Sequence, residues 1–240
     1  MKRSKPFIFP ESRILKPREL PGVYRTLRKE FGPQHWWPGE TPFEVTVGAI
    51  LTQNTAWSNV ETAIANLKRA GKLSPRALRR ISKKQLAGLI RPAGYFNIKT
   101  DRLKHFIQFL FNEYGGDVRR MSREEGGRLR DKLLNVKGIG PETADSILLY
   151  ACQKHFFVID AYTKRIFSRH RLIDPRPPQG LNRSYEEWQE FFTRALAHKV
   201  RGDRKKIALY NDFHAQIVHL GKFFCKSKPR CEICPLRSYL

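Results

Sequence analysis

Asp160 ends the apolar run Phe156-Phe157-Val158-Ile159 and precedes the helical pattern Ala161-Tyr162-Thr163-Lys164-Arg165-Ile166-Phe167, so its carboxylate falls at a helix N-cap. Capping alone is one reading of such an aspartate. The helix N-terminus also favours the ionised form, and an ionised carboxylate held there can stabilise a developing sugar cation or orient a water. Upstream lies LLNVKGIGPETADSIL. Leu129, Leu133, Leu134 and Val136 give an apolar stripe at helical spacing, and Lys137-Gly138-Ile139-Gly140 then breaks the helix with two glycines open to positive φ. Pro141 suits the first position of a second helix, along which Ala144, Ile147, Leu148 and Ala151 repeat at helical intervals. The pattern predicts a helix-hairpin-helix. Side-chain-free glycines let backbone N–H groups at the mouth of the second helix approach a phosphate, with Gly138 and Gly140 as the points of approach and Lys137 as an added cation. Such contacts place a protein on DNA without reading its sequence. An ordinary helical hairpin with a glycine turn is the alternative reading of this segment by itself.

The elements around this pair must position it beside a polyanion. The chain of 240 residues carries 46 Lys and Arg against 22 Asp and Glu, a net charge of +24, and a pI near 10.3. The excess recurs in clusters, among them Lys2, Arg3 and Lys5, then Arg76 to Lys84, Arg119 to Arg123, and Arg201 to Lys206. Solubility does not require so much, and nucleic acid is the natural partner. An anionic membrane fits less well, because no apolar run approaches the roughly 20 residues needed to span a bilayer. The start MKRSKPFIFPE lacks a signal-peptide core, so the expectation is a soluble intracellular protein, cytoplasmic and nucleoid-associated or nuclear.

Hydrophobic residues make up 40%, enough for a sizeable core in one or two domains. Helical patterns run over about 43–54, 56–70, 83–91, 99–114, 124–136, 141–153, 161–171, 185–198 and 204–223. Breakers fall at Gly71 to Pro75, Gly115-Gly116 and Asp174-Pro175-Arg176-Pro177-Pro178, the last a loop. Strand alternation is scarce and no repeat is visible. The expected fold class is all-α: two helical domains flanking a DNA-binding cleft. One is a barrel-like domain over 42–153 containing the hairpin; the other is assembled from 1–41 and 154–240.

Taken together, LLNVKGIGPETADSIL and VIDAYTKRIF resemble the helix-hairpin-helix, Gly/Pro-rich loop and catalytic Asp of the endonuclease III superfamily of DNA glycosylases. LTQNT, RPAGYFNIKTDRL and FHAQIVHLGKFFC follow in the order that family uses, so the resemblance covers most of the chain. Trp36-Trp37-Pro38, LTQNT followed by Trp57, and GIGPETAD are most similar to the 3-methyladenine DNA glycosylase III branch. The resemblance implies base excision repair of double-stranded DNA carrying a damaged base, with Asp160 as the catalytic carboxylate. Bifunctional members carry a lysine nucleophile two residues after the second hairpin glycine. This chain has Glu142 there, which cannot form a Schiff base. A monofunctional hydrolase leaving an abasic site follows, with Glu142 either lining the pocket or simply favouring a helix start. The alternatives within the fold are an endonuclease III-like glycosylase with AP lyase activity and a uracil or mismatch glycosylase. Outside it stands a non-catalytic DNA-binding protein.

Trp36, Trp37 and Trp57 are the candidate base pocket, since electron-poor alkylated purines bind well against π faces; each could instead be core. The resemblance assigns Gln53, assisted by Asn54, to the gap that a flipped base leaves in the duplex. Relatives place a modified lysine within the stretch matching FHAQIVHL, where this chain has Gln216. Cys225, Cys231 and Cys234, spaced C-x5-C-x2-C, resemble the loop that binds a [4Fe-4S] cluster through four thiolates. The fourth position is Leu240, leaving open a non-cysteine ligand, zinc, or no metal. Cys152 is expected to pack in the core. Nothing in the sequence points to a protein partner, and a monomer is expected.

Overall fold

The computed structural model describes residues 15–170, 184–197 and 199–239. The basic start, the Pro-rich loop at 174–178, the ends of two expected helices at Arg171 and His198, and Leu240 lie outside them. Among the described residues the α-helices are α1 (Leu20–Phe31), α2 (Pro42–Leu51), α3 (Trp57–Arg69), α4 (Pro75–Arg80), α5 (Lys83–Leu89), α6 (Phe96–Tyr114), α7 (Val118–Ser122), α8 (Gly126–Leu134), α9 (Pro141–Ser146), α10 (Ala161–Arg169), α11 (Tyr185–Ala197) and α12 (Asp203–Phe223). No strand occurs among these residues, and no helix is long and apolar enough to cross a membrane. The fold is all-α.

The chain divides into two compact units, one of Trp37–Phe156 and one of Met1–Trp36 with Phe157–Leu240. The first is built around α2, buried from Phe43 to Leu51, because an apolar sequence all round makes a central helix rather than an amphipathic one. α3, α6 and α9 pack on it. Thr41 caps α2 by accepting from the Glu44 N–H at 3.1 Å, and Pro42 occupies its first turn. The Gly71 to Pro75 breaker also starts a helix, α4, since Ser74 caps Ala77 N at 3.2 Å and Pro75 is tolerated at N1.

In the other unit, α12 packs on α1 and α10. Leu20, Val23 and Leu27 of α1 are buried, as are Phe157, Phe167, Phe192 and Phe213. The Phe157 and Phe192 rings stack at 4.7 Å, with Phe167 edge-on to Phe192 at 5.0 Å. Gly221 permits the approach of α12 to α10: a Cβ there would collide with the Tyr162 ring.

Candidate active site

Asp160 is placed by the extended segment before it. Phe157, Val158 and Ile159 are buried, and α11 satisfies their backbone: Gln189 Nε2 donates to the Phe157 carbonyl at 2.8 Å and the Ile159 N–H donates to the Tyr185 hydroxyl at 3.2 Å. Asp160 then caps α10. Its Oδ1 accepts from Thr163 N at 2.7 Å and from Thr163 Oγ1 at 2.8 Å. Its Oδ2 lies 3.6 Å from His214 Nε2, an ion-pair separation. Burial by itself pushes this carboxyl up, but His214 and the Thr163 donors outweigh it, so the carboxyl sits below its ordinary range. The result is a buried, ionised carboxylate.

Trp36 lies against His214, ring centroids 5.8 Å apart. The segment leading to Trp36 is held by one stripe of α12 at i, i+4 and i+7. Asp212 accepts from Gln34 N at 3.2 Å, Gln216 Nε2 donates to the Gly32 carbonyl at 2.6 Å, and His219 Nδ1 meets Gln34 Oε1 at 3.2 Å. Gln216 therefore works as a buried strut in this chain.

In the other unit, Trp37 meets Trp57 edge-on at 5.3 Å and Tyr150 at 5.0 Å. Gly48 forms the floor: a Cβ there would stand 3.2 Å from Trp37 Nε1 and 3.5 Å from Trp57. Tyr150 carries no signal in the sequence, where the helical pattern of the second hairpin helix runs on to residue 153. The structure instead opens a π-helical turn at Ile147–Ala151, and such turns redirect side chains. Trp36 and Trp37, adjacent in sequence, thus have different ring partners.

The hairpin forms as expected, with one correction. Gly138 has φ +92, but Gly140 is the extended N-cap of α9 at φ −94, a conformation open to any residue. Gly138 is demanding in a second way, since a Cβ would collide with Arg102. Arg102 also donates to Gln53 Oε1, while Gln53 Nε2 donates to the Gly138 carbonyl at 3.1 Å and to Thr143 Oγ1 at 2.8 Å. Gln53 is therefore clasped to the hairpin. Asn54 beside it is exposed and left-handed at φ +53. Lys137 and Glu142 are exposed as well. Glu142 stands in the first turn of α9, where its charge favours the helix end.

Lys99 was not anticipated either. Its side chain is 1% exposed, and its Nζ donates to the carbonyls of Leu51 at 2.8 Å and Ala93 at 2.7 Å. It ties the residue two before Gln53 to the residue two before Tyr95, an aromatic that is 67% exposed at φ +45. Burial and the neighbouring Arg102 push the Lys99 amine down to about 8. The unfolded chain then holds this proton more tightly than the folded one, so stability contributed by this site rises with pH between about 8 and the ordinary lysine value. Denaturant titrations at pH 7.5 and pH 10 are expected to show that rise in the parent protein and its loss in Lys99→Met.

Cys225, Cys231 and Cys234 line one small cavity with Arg169 and His170. Arg169 Nη1 donates to Cys225 Sγ at 3.2 Å and to the Lys226 carbonyl at 2.6 Å, and Arg165 donates to the Cys225 and Gly221 carbonyls, both at 2.8 Å. Burial raises the Cys231 thiol, and pushes the Cys234 thiol up to about 11. Among the described residues no three of His, Cys, Asp and Glu stand so as to hold a metal ion. The donors as placed do not fit the four-thiolate cluster that the resemblance implies. Cys152 is buried in the core, its thiol pushed up to about 12.

The family described as HhH-GPD superfamily base excision DNA repair protein matches residues 47–190. The "Putative DNA repair glycosylase MJ1434" of Methanocaldococcus jannaschii is 42% identical over 219 residues, covering 90% of this chain and 93% of that protein. Endonuclease III of Thermotoga maritima is 26% identical over 199 residues, 82% of each chain. Among solved structures, the Helicobacter pylori 3-methyladenine DNA glycosylase MagIII bound to 1,N6-ethenoadenine superposes with a TM-score of 0.72 at 29% identity, covering 87% of this chain and 98% of that one. A non-covalent endonuclease III–DNA complex gives a TM-score of 0.73 at 20% identity, over 94% and 95% of the two chains, and so supports the fold. This chain belongs to the HhH-GPD superfamily of base excision DNA repair glycosylases, the endonuclease III superfamily.

Proposed function

We propose that this glycosylase is a monofunctional hydrolase that removes an alkylated, 3-methyladenine-like purine from double-stranded DNA and leaves an abasic site. The observation that carries the reading is Asp160, a buried carboxylate held ionised with Oδ1 fixed by Thr163. As the N-glycosidic bond breaks, its electron pair leaves with the base and positive charge develops on the sugar. Asp160 stabilises that charge while water adds to C1′, and the carboxylate takes the water's proton and passes it to solvent. Trp37 and Trp57 would offer π faces to an electron-poor base, with buried Tyr150 packed against Trp37, and Trp36 flanks the carboxylate's neighbour His214. MagIII, 29% identical to this chain, is described as a 3-methyladenine DNA glycosylase and holds a modified adenine, 1,N6-ethenoadenine.

Lys137 and the N–H groups around Gly138 and Gly140 would contact phosphate, and Gln53 with Asn54 would enter the duplex once Gln53 leaves its clasp. Exposed Tyr95 would stack on a base. With a net charge of +24, DNA affinity is expected to fall steeply between 50 and 200 mM salt, by about 10³-fold if about six phosphates are neutralised. Fluorescence anisotropy on a labelled duplex measures this, and a flat response would remove the DNA-tracking surface from the account.

The decisive assay is base release from duplexes carrying 3-methyladenine or uracil, scored before and after alkali. Release of 3-methyladenine with strand breaks only after alkali supports the proposal, because Glu142 supplies no amine for lyase chemistry. Direct nicking overturns the monofunctional assignment, and uracil release overturns the alkylated-base assignment. Iron and sulfide analysis of anaerobically purified protein tests the cluster separately. Stoichiometric iron would show that the three thiols regroup around it. The protein is expected to act on DNA as a monomer, which sedimentation velocity checks.

A further inference from the structure

Asp160 offers its two oxygens to different partners. Oδ1 accepts twice from Thr163, which fills it. Oδ2 is therefore the oxygen with remaining capacity, and it faces His214 Nε2 at 3.6 Å. His214 is 4% exposed, projects from the middle of α12, and is covered by Trp36. The pairing joins residues 54 apart in sequence, on the two helices whose close approach Gly221 allows.

We propose that His214 is the positioning residue of Asp160, keeping Oδ2 aimed and charged so that the carboxylate meets the sugar without reorganising. This inference rests on the reading of Asp160 as the catalytic carboxylate. Three charged groups on the packed elements are engaged elsewhere. On α10, Arg165 turns to the carbonyls of Gly221 and Cys225, and Lys164 sits over the Tyr185 ring at 5.9 Å. On α12, Asp212 pairs with Arg28 at 2.9 Å and accepts from the Tyr24 hydroxyl at 2.9 Å. His214 is thus the charged-capable side chain that bears on the carboxylate, beside the neutral donors of Thr163.

Two variants separate positioning from packing. His214→Met fills the space without a donor, whereas His214→Gln restores an amide N–H of similar reach. The carboxyl of Asp160 is followed by carbon-13 NMR in aspartate-labelled protein, its signal identified by its loss in Asp160→Asn. Its titration midpoint is expected to rise by about one pH unit or more in His214→Met, with His214→Gln falling between that and the parent. In single-turnover base release, His214→Met is expected to slow the chemical step by about tenfold to a hundredfold while the Kd for damaged duplex stays within about threefold, and His214→Gln recovers most of the loss. A midpoint unmoved in both variants overturns the proposal, as does weakened DNA binding with the chemical step unchanged. The NMR titration needs no turnover. If the parent protein released no base, the functional reading would fail while the titration still decided whether His214 governs Asp160.

Discussion

Asp160→Asn is expected to lower single-turnover base release on the order of 10³-fold or more while duplex affinity stays within a few-fold of the parent. Asparagine is as good an N-cap as aspartate, and its amide oxygen can still accept from Thr163 N, so α10 and the extended segment before it keep their geometry. What disappears is the negative charge. A neutral amide stabilises a sugar cation poorly, and in a site as dry as this one the difference between ion and dipole is large. Loss of release with binding retained separates an enzyme from a DNA-binding module. Equal release by the two proteins would reduce Asp160 to a cap. The depressed carboxyl adds a pH expectation: base release should persist below the pH at which an ordinary carboxylate protonates, then fall as the folded-state value is passed.

The largest stability effect is expected at the hairpin. Arg130 of α8 donates from Nε to Asp145 Oδ1 of α9 at 2.7 Å and from Nη2 to Oδ2 at 3.3 Å, and the Asp145 side chain is fully buried. Arg130→Met keeps the aliphatic stem but strips the carboxylate of its bidentate partner. Removing one member of such a pair costs about 3–5 kcal/mol, because the remaining charge stays buried. Urea unfolding should show that loss, and DNA affinity should fall with it as α8 and α9 lose their lock. A loss below about 1 kcal/mol would mean that Asp145 is neutral or has other support. The double variant Arg130→Met with Asp145→Leu is expected to recover much of the stability, which a purely geometric role for Arg130 would not allow.

Local patterns carried well from sequence to structure. The Asp160 cap, the Gly138 turn and helices such as α3 and α12 each depend on a few neighbouring residues, and their apolar spacing or capping chemistry is visible along the chain. α1 was not anticipated, although Leu20, Val23 and Leu27 do keep helical spacing before Gly32. The missed site residues share another property. His214 meets Asp160 across 54 positions, Lys99 reaches Leu51 across 48, and Trp37 reaches Tyr150 across 113. A lone histidine or lysine in a helix carries no mark of what it will face after packing. The π turn at Ile147–Ala151 is equally silent, since Ile, Leu, Tyr and Ala suit an ordinary helix.

The unit Trp37–Phe156 is one uninterrupted stretch, whereas the unit holding Asp160 is split around it. During synthesis the inner stretch can complete its own packing as soon as Phe156 has left the ribosome, with the helical hairpin already in place. α1 must meanwhile wait with its apolar face uncovered, because its partner α12 ends at Phe223 and is made late. Asp160 then meets its proposed positioning partner last, since His214 belongs to α12. A nascent chain would acquire its means of holding DNA before its means of cutting the glycosidic bond, an order set by gene position alone.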